Sequence, residues 1–243
     1  MGRPKERRDA DAFAAEGVRL VEEALAANWP FRFVLRGETL SERGESLVGS
    51  LKSHGIEVET VSDSLLTSIS ETETSQGILA VLDHSAVPIP NSPSFVLILD
   101  QVRDPGNLGT LLRTAAAAGV QVVLLPPETT DAFAPKVLRA GMGAHFRLPV
   151  RVMGWEAIQQ FSESAGLKVL LAEMDGASCW QTDLRAPLAL IVGGEAEGAS
   201  QQARNLAHDK ISIPMPGGIE SLNAAIAGAI LLFEVVRQRE NKK

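Results

Sequence analysis

Four apolar runs in the last two-thirds of the chain, each parted from the next by a stretch with helical spacing, restrict the fold more than any other feature. FVLILD (Phe95 to Asp100), VQVVLLP (Val120 to Pro126), LKVLLAEM (Leu167 to Met174) and LALIVGG (Leu188 to Gly194) are apolar at consecutive positions rather than at every second one. Strands of that kind need cover on both faces, which is the condition of a parallel sheet between helices. Helices read between them as LGTLLRTAAAAG (Leu108 to Gly119), as DAFAPKVLRAG behind a capping Asp131, and as WEAIQQFSESAG; FRLPV adds a short strand. A helix from about Ser200, the strand ISIPM and a long final helix from Leu222 to Arg237 complete the pattern. The predicted class is α/β, a doubly wound parallel sheet with helices on both faces, and such sheets bind ligands beyond the carboxyl ends of their strands.

The first third of the chain has a different organisation. Phe13, Val18, Val21 and Leu25 recur at helical spacing, FRFVLRG gives a short strand, a helix around Glu45 to His54 precedes the strand IEVETV, and SQGILAVLD turns into another. The segment from His84 to Ser94, HSAVPIPNSPS, carries three prolines and reads as a linker. The expected division is therefore a basic tail over 1–12, a small α/β unit over 13–83, a linker over 84–94 and the large sheet domain over 95–243.

Composition narrows the chemistry. With Cys179 as its one cysteine the chain has no internal disulfide and no thiolate cluster, and its four scattered histidines argue against a zinc site, so no metal is expected. No apolar run reaches membrane-span length, and no apolar segment stands behind the basic MGRPKERRDADAF, so neither a membrane span nor a secretory signal is expected and a cytoplasmic setting fits. A net charge of −7 disfavours nucleic acid on its face. Phosphate binding depends on local patches, however, and Arg7 and Arg8 beside Arg3 and Lys5, with Lys136 and Arg139 elsewhere, are the candidates; a solvated surface explains each as well.

Three glycine-punctuated segments fall where the sheet would end. In DPGNLGTLLR, Pro105 and Gly106 turn the chain out of the strand, Asn107 is placed to cap the helix, and Gly109 and Arg113 share a helical face. In VGGEAEG, Gly193 and Gly194 allow close backbone approach and Glu195 supplies a carboxylate, with favourable charge at a helix start as its plainer explanation. In ISIPMPGGIESLN, Ser221 is placed to cap the last helix and Asn223 to present an amide over its positive end, while Ile213, Met215 and Leu222 serve equally as core or as walls for an aromatic ligand. None of the three has the spacing of a dinucleotide fingerprint or a Walker loop.

NLGTLLRTA, IVGGEAEG and ISIPMPGGIESLNAAIA, in that order, resemble the three signature motifs of the SpoU/TrmH family of RNA ribose 2'-O-methyltransferases in the SPOUT class. PKVLRAGMGAHFRLPV resembles the family's intervening region, and FAAEGVRLVEEAL with SQGILAV its small L30e-like substrate-recognition domain, so the likeness covers nearly the whole chain. Gly141 stands where the family often has serine, and Ala224 and Ala225 where it often has valine and serine; neither change removes an expected catalytic group.

The resemblance implies a C-terminal trefoil knot that holds S-adenosylmethionine, with Gly193, Ile213 and Leu222 at the cofactor and Gly194 and Met215 close by. It implies Asn107, Arg113, Glu195, Ser221 and Asn223 as the polar set around methyl transfer, and a homodimer in which one subunit completes its neighbour's site. The expected substrate is a 2'-hydroxyl in structured RNA, ribosomal rather than transfer RNA; a transfer-RNA enzyme and a non-catalytic RNA-binding assembly protein are the alternatives. A guanidinium holds its proton too tightly to be a good base, so Arg113 is assigned first to gripping the phosphate beside the target ribose, with deprotonation by Arg113 or by that phosphate left open. Asn107 and Asn223 would orient Arg113 and the ribose, and Glu195 would fix the loop or the arginine.

Overall fold

A computed structural model describes residues 3–70, 75–194, 198–219 and 221–240. In chain order its first elements are α1 (Pro4–Ala10), β1 (Ala12–Glu16), α2 (Val18–Ala26), β2 (Phe31–Arg36), α3 (Glu42–Ser53), β3 (Val58–Thr60), α4 (Asp63–Ile69) and β4 (Ile78–Asp83). There follow β5 (Phe95–Asp100), α5 (Pro105–Ala117), β6 (Val122–Leu125), α6 (Pro135–Gly141), a 3-10 turn at Ala144–Phe146, and β7 (Val150–Val152). The chain ends with α7 (Trp155–Ser164), β8 (Lys168–Ser178), β9 (Leu188–Gly193), α8 (Gln201–Leu206), β10 (Asp209–Ser212) and α9 (Ala224–Glu240).

These elements form two compact units, Met1–Ala86 with Asp131–Arg147, and Val87–Thr130 with Leu148–Lys243. The first contains a sheet in the order β1-β4-β2-β3, antiparallel except for the β2–β3 pair. Its start departs from the sequence reading. Phe13 lies on a strand rather than on the helix that its spacing to Val18 and Val21 suggested, because Gly17 at φ +104° breaks the chain between β1 and α2, a conformation that costs other residues dearly. Residues 4–10, read as a tail, form α1, and residues 131–147, read as part of the large domain, belong to the first unit. Two features bind that segment there. Arg7, 2% exposed, donates from Nε and Nη2 to Oδ2 of Asp131 at 3.1 and 2.6 Å. Phe13 packs on Phe133 at 4.9 Å between ring centroids, and Trp29 on Phe146 at 5.2 Å. Asp131 is thus a partner for Arg7 rather than the cap of α6, which starts behind Ala134.

The second unit holds the six-stranded sheet β10-β8-β9-β5-β6-β7, and every neighbouring pair in it is parallel. All residues of β5 and β6 are buried, as their unbroken apolar runs require. On one face Val96, Ile98, Val122, Leu124, Val169, Leu171, Ala189 and Ile191 meet Ile158 of α7 and Ala203 of α8. Alternate residues of the same strands point to the opposite face, where α5 and α9 pack together and Gly228 lets α9 sit against Leu111 and Val192. Each fully buried Leu, Ile or Val contributes about 1.5–3 kcal/mol, so this double cover is the main support of the sheet. The α/β class with helices on both faces of a parallel sheet is therefore what the chain adopts.

Candidate active site

At the carboxyl end of β5 the chain turns through Gln101, held at φ +53°, into α5. Asp104 caps that helix: its Oδ1 accepts from the Asn107 N–H at 2.8 Å, and Pro105 at the first helical position needs no partner for its nitrogen. The helix therefore begins three residues before Leu108, and Asn107 is inside its first turn rather than at the cap. Its carboxamide is released for another task, since Oδ1 accepts from Nδ2 of Asn223 at 3.1 Å. Asn223 in turn caps α9, accepting at Oδ1 from the N–H groups of Ala225 at 2.9 Å and Ile226 at 3.2 Å. Ser221, the expected cap, lies exposed ahead of it. One amide–amide bond thus ties together two helix N-termini whose sequence positions are 116 apart.

Gly193 ends β9 in register with Asp100 of β5, and Gly194 bridges back to Gly198. A Cβ on Gly194 would stand 2.2 Å from the Gln101 carbonyl oxygen, so only glycine lets these two strand ends lie so close. Glu195 lies outside the described residues. From β10 the chain passes through Ile213 and Met215 to Ser221 and Leu222.

These segments surround a cavity of about 740 Å³ lined by Asn107, Gly193, Gly194, Ile213, Met215, Ser221, Leu222 and Asn223, all singled out in the sequence. Asp104, Ala172, Glu173, Met174, Val192, Ile211 and Leu231 complete much of the wall and were missed. Asp104 was visible as an Asp-Pro helix start; Glu173, midway along β8 behind its apolar run, was hidden by its neighbours. Burial alone would raise the Glu173 carboxyl, but hydrogen bonds from Lys210 and Arg204 outweigh it and hold the group below its ordinary value, so the rim there carries a fixed, paired charge.

Arg113 is exposed on α5 and does not line this cavity; six residues past Asn107, it stands about 9 Å further along the helix axis. The four basic candidates all fall in the first unit: Arg8 and Lys136 are exposed, Arg139 is half-buried, and Arg7 is buried against Asp131. Arg7 is withdrawn as a phosphate contact, because its guanidinium is committed to an interior ion pair. Among the described residues no group of three or more His, Cys, Asp or Glu is placed to hold a metal ion, and no helix is long and apolar enough to cross a membrane.

Residues 94–233 match the model of the SpoU rRNA Methylase family, and residues 1–80 that of an MRM3-like substrate binding domain. The 23S rRNA (guanosine(2553)-2'-O)-methyltransferase RlmP of Bacillus subtilis is 35% identical over 232 residues, which span 95% of this chain and 91% of that protein. The 23S rRNA (guanosine-2'-O-)-methyltransferase RlmB of Shewanella oneidensis is 32% identical over 241 residues, covering 93% and 97%. Among solved structures, the SpoU methyltransferase AviRb from Streptomyces viridochromogenes in complex with AdoMet superposes with a TM-score of 0.88 at 28% identity, over 98% of this chain and 95% of that one.

Proposed function

Because the chain belongs to the SpoU rRNA methylase family, we infer that it transfers a methyl group from S-adenosylmethionine to a ribose 2'-hydroxyl of 23S ribosomal RNA. The observation that carries this reading is one cavity at the carboxyl end of a parallel sheet into which all three glycine-punctuated segments converge. Its volume lies in the range of roughly 300–1,000 Å³ usual for small-molecule sites, and its walls pair glycine backbone with the apolar Ile213, Met215 and Leu222, as a nucleoside with a largely apolar sulfur-bearing arm requires. Those three residues with Gly193 and Gly194 would hold the cofactor, which supplies a methyl already activated by its sulfonium.

What is left for the protein is alignment and the handling of one proton. Asn107 and Asn223, fixed against each other, would orient the ribose, with Ser221 at the mouth and Glu195 steadying the loop. Arg113 would grip the phosphate beside the target ribose and draw the hydroxyl toward ionisation through its charge. Since Arg113 of one chain is off its own cavity wall, it would serve the site of a second subunit. A homodimer is supported by Ile226 and Phe233, 54% and 48% exposed and seven residues apart along α9, which packs on α5. The placement of β10 beside β8 while α9 returns to β9 and α5 supports a threaded, knotted C-terminus. Arg8, Lys136 and Arg139 would meet RNA phosphates from the substrate-binding unit, and the cytoplasm is the setting proposed.

Calorimetry with S-adenosylhomocysteine beside a tritiated-methyl assay on unmodified 23S transcript tests this. Arg113→Ala is expected to bind the product normally and lose transfer by about 10³-fold. Mixing Arg113→Ala with Asn223→Ala subunits is expected to restore about a quarter of the sites, because half of random dimers are mixed and each holds one whole site. Wild-type protein that methylates transfer RNA and not the ribosomal transcript would overturn the substrate; inactivity of every mixture would overturn the shared site.

A further inference from the structure

The ladder on both sides of β8 stops short of the strand's end. Leu171 is the last β8 residue paired with β9, opposite Ile191. On the other side Leu171 lies opposite Lys210, and the next β10 residue, Ile211, lies opposite Ala177. Among the described residues, 172–176 therefore have no ladder partner on either neighbour, and they arch out of the sheet within one step of β10. Ala172, Glu173 and Met174, in the first half of that arch, line the cavity. Its far end is seated on backbone: Ser212 Oγ donates to the Gly176 carbonyl at 2.8 Å, and a Cβ on Gly176 would stand 2.5 Å from the Ile211 nitrogen. Its crown is held by charge. Lys210 Nζ lies 2.7 Å from Oε2 of Glu173 and donates to both oxygens of Asp175, at 2.9 and 3.2 Å, while Nε of Arg204, on α8, donates to Oε1 of Glu173 at 2.8 Å.

Exposed ion pairs contribute only about 0–1 kcal/mol to folding, so this cluster adds little to the stability of the sheet. It does decide where the arch stands. Two carboxylates converge on one ammonium, and without it they would repel each other across the crown. Residues 173 and 175 both turn their side chains to Lys210, so Met174 between them is turned the other way, as successive residues of an extended chain are. Met174 is 58% exposed although it lines the cavity, which leaves a long, adaptable apolar side chain at the mouth for a ligand to cover. We propose that Lys210, which does not itself line the cavity, is a positioning residue for the cofactor: by drawing Glu173 and Asp175 together it fixes the arch and keeps Met174 as a wall against bound S-adenosylmethionine. This rests on the cofactor assigned above. A wall serves a ligand only when it is placed to within about 0.5 Å, so loosening the arch shows in affinity before it shows in stability.

Calorimetry with S-adenosylhomocysteine tests this on the wild-type protein, Lys210→Met, Lys210→Arg and Lys168→Met, each also melted. Lys168 is the control, because it makes an exposed ion pair with Asp209, at 2.7 Å, between the same two strands, and neither residue lines the cavity. Lys210→Met is expected to lose about fivefold or more in affinity while melting within about 2 °C of the wild type, and Lys210→Arg and Lys168→Met to stay within about twofold. In protein with isotope-labelled methionine methyl groups, the Met174 resonance, identified by its loss in Met174→Leu, is expected to move when S-adenosylhomocysteine binds to the wild type and to move less in Lys210→Met. Unchanged affinity of Lys210→Met, an equal loss in Lys168→Met or no rescue by arginine would each overturn the proposal, as would a Met174 resonance that ignores the ligand. Should Lys210→Met fail to fold, Asp175→Asn, which takes one carboxylate from the ammonium at an exposed position, is put through the same comparison. A wild-type protein that does not bind S-adenosylhomocysteine would instead remove the cofactor reading.

Discussion

His145 is wholly enclosed in the first unit, and its two ring nitrogens face different circumstances. Nε2 lies 2.8 Å from the Ala132 carbonyl, which only accepts, so that nitrogen carries the hydrogen; Nδ1 is buried with no partner. A second proton would have no acceptor, and burial accordingly pushes the imidazole down from 6.5 to about 4. The unfolded chain takes up that proton near pH 6.5 whereas the folded one resists until about pH 4, so the associated stability is complete above 6.5 and is lost as the pH falls between those values. The loss amounts to about 3 kcal/mol. Denaturant melts at pH 7.5 and 4.5 should show His145→Gln losing markedly less on acidification than the wild type; parallel losses would place the acid sensitivity elsewhere. Asn223 separates two roles in the same way. As cap of α9 it should cost about 1 kcal/mol on replacement by alanine. Asn223→Asp keeps an accepting oxygen for the Ala225 and Ile226 N–H groups but has no N–H to give Asn107. It is expected to melt like the wild type and still lose most transfer activity, and a fully active aspartate variant would show that the Asn107–Asn223 bond is dispensable.

At the scale of elements the question is why the ends of β5 and β9 lie close enough to form one wall. The answer is Gly194, whose absent side chain admits the Gln101 carbonyl. Gly194→Ala must push the two loops apart by backbone movement, and the expected outcome is a loss of S-adenosylhomocysteine affinity of about tenfold or more with little change in melting, because the strain falls on a loop rather than on the core. Gly217→Ala is the control, since a Cβ there meets nothing within 4 Å. Equal behaviour of the two variants would deny Gly194 this part. The same elements show how far sequence reading reaches. The parallel sheet was legible because β5, β6 and β9 are buried on both faces, and buried strands must be apolar throughout. The three converging segments were legible because turns at strand ends demand glycine and proline. Helix starts were not, because several residues able to cap stand together in DPGN and in ESLN, and which one does so is decided by a partner more than a hundred residues away. The position of Arg113 off the cavity was equally out of reach, since spacing along one helix does not say how far a cavity at its first turn extends.

For the whole molecule, the order of the chain and the order of its parts disagree. A cut in the proline-rich segment 84–94 looks like a clean separation, and residues 84–94 indeed carry no helix or strand. Yet Asp131–Arg147, far beyond it, complete the first unit. They bring Phe133 and Phe146 to Phe13 and Trp29, Asp131 to Arg7, and Glu23 to Arg147, whose Nη2 lies 2.6 Å from the carboxylate. Each large apolar side chain returned to water costs about 1.5–3 kcal/mol, and Val137, Leu138 and Phe146 would all lose cover at once. A fragment lacking residues 1–90 should therefore bind a hydrophobic dye, aggregate on warming and melt well below the intact chain, even though the cavity-lining residues are all retained. Replacing Phe133 and Phe146 by serine in that fragment should restore a monodisperse state, since only the exposed aromatic surface is then at fault. If the unaltered fragment is monodisperse, binds S-adenosylhomocysteine and melts with the intact protein, the 131–147 segment is self-supporting and the two units are separable at the linker after all.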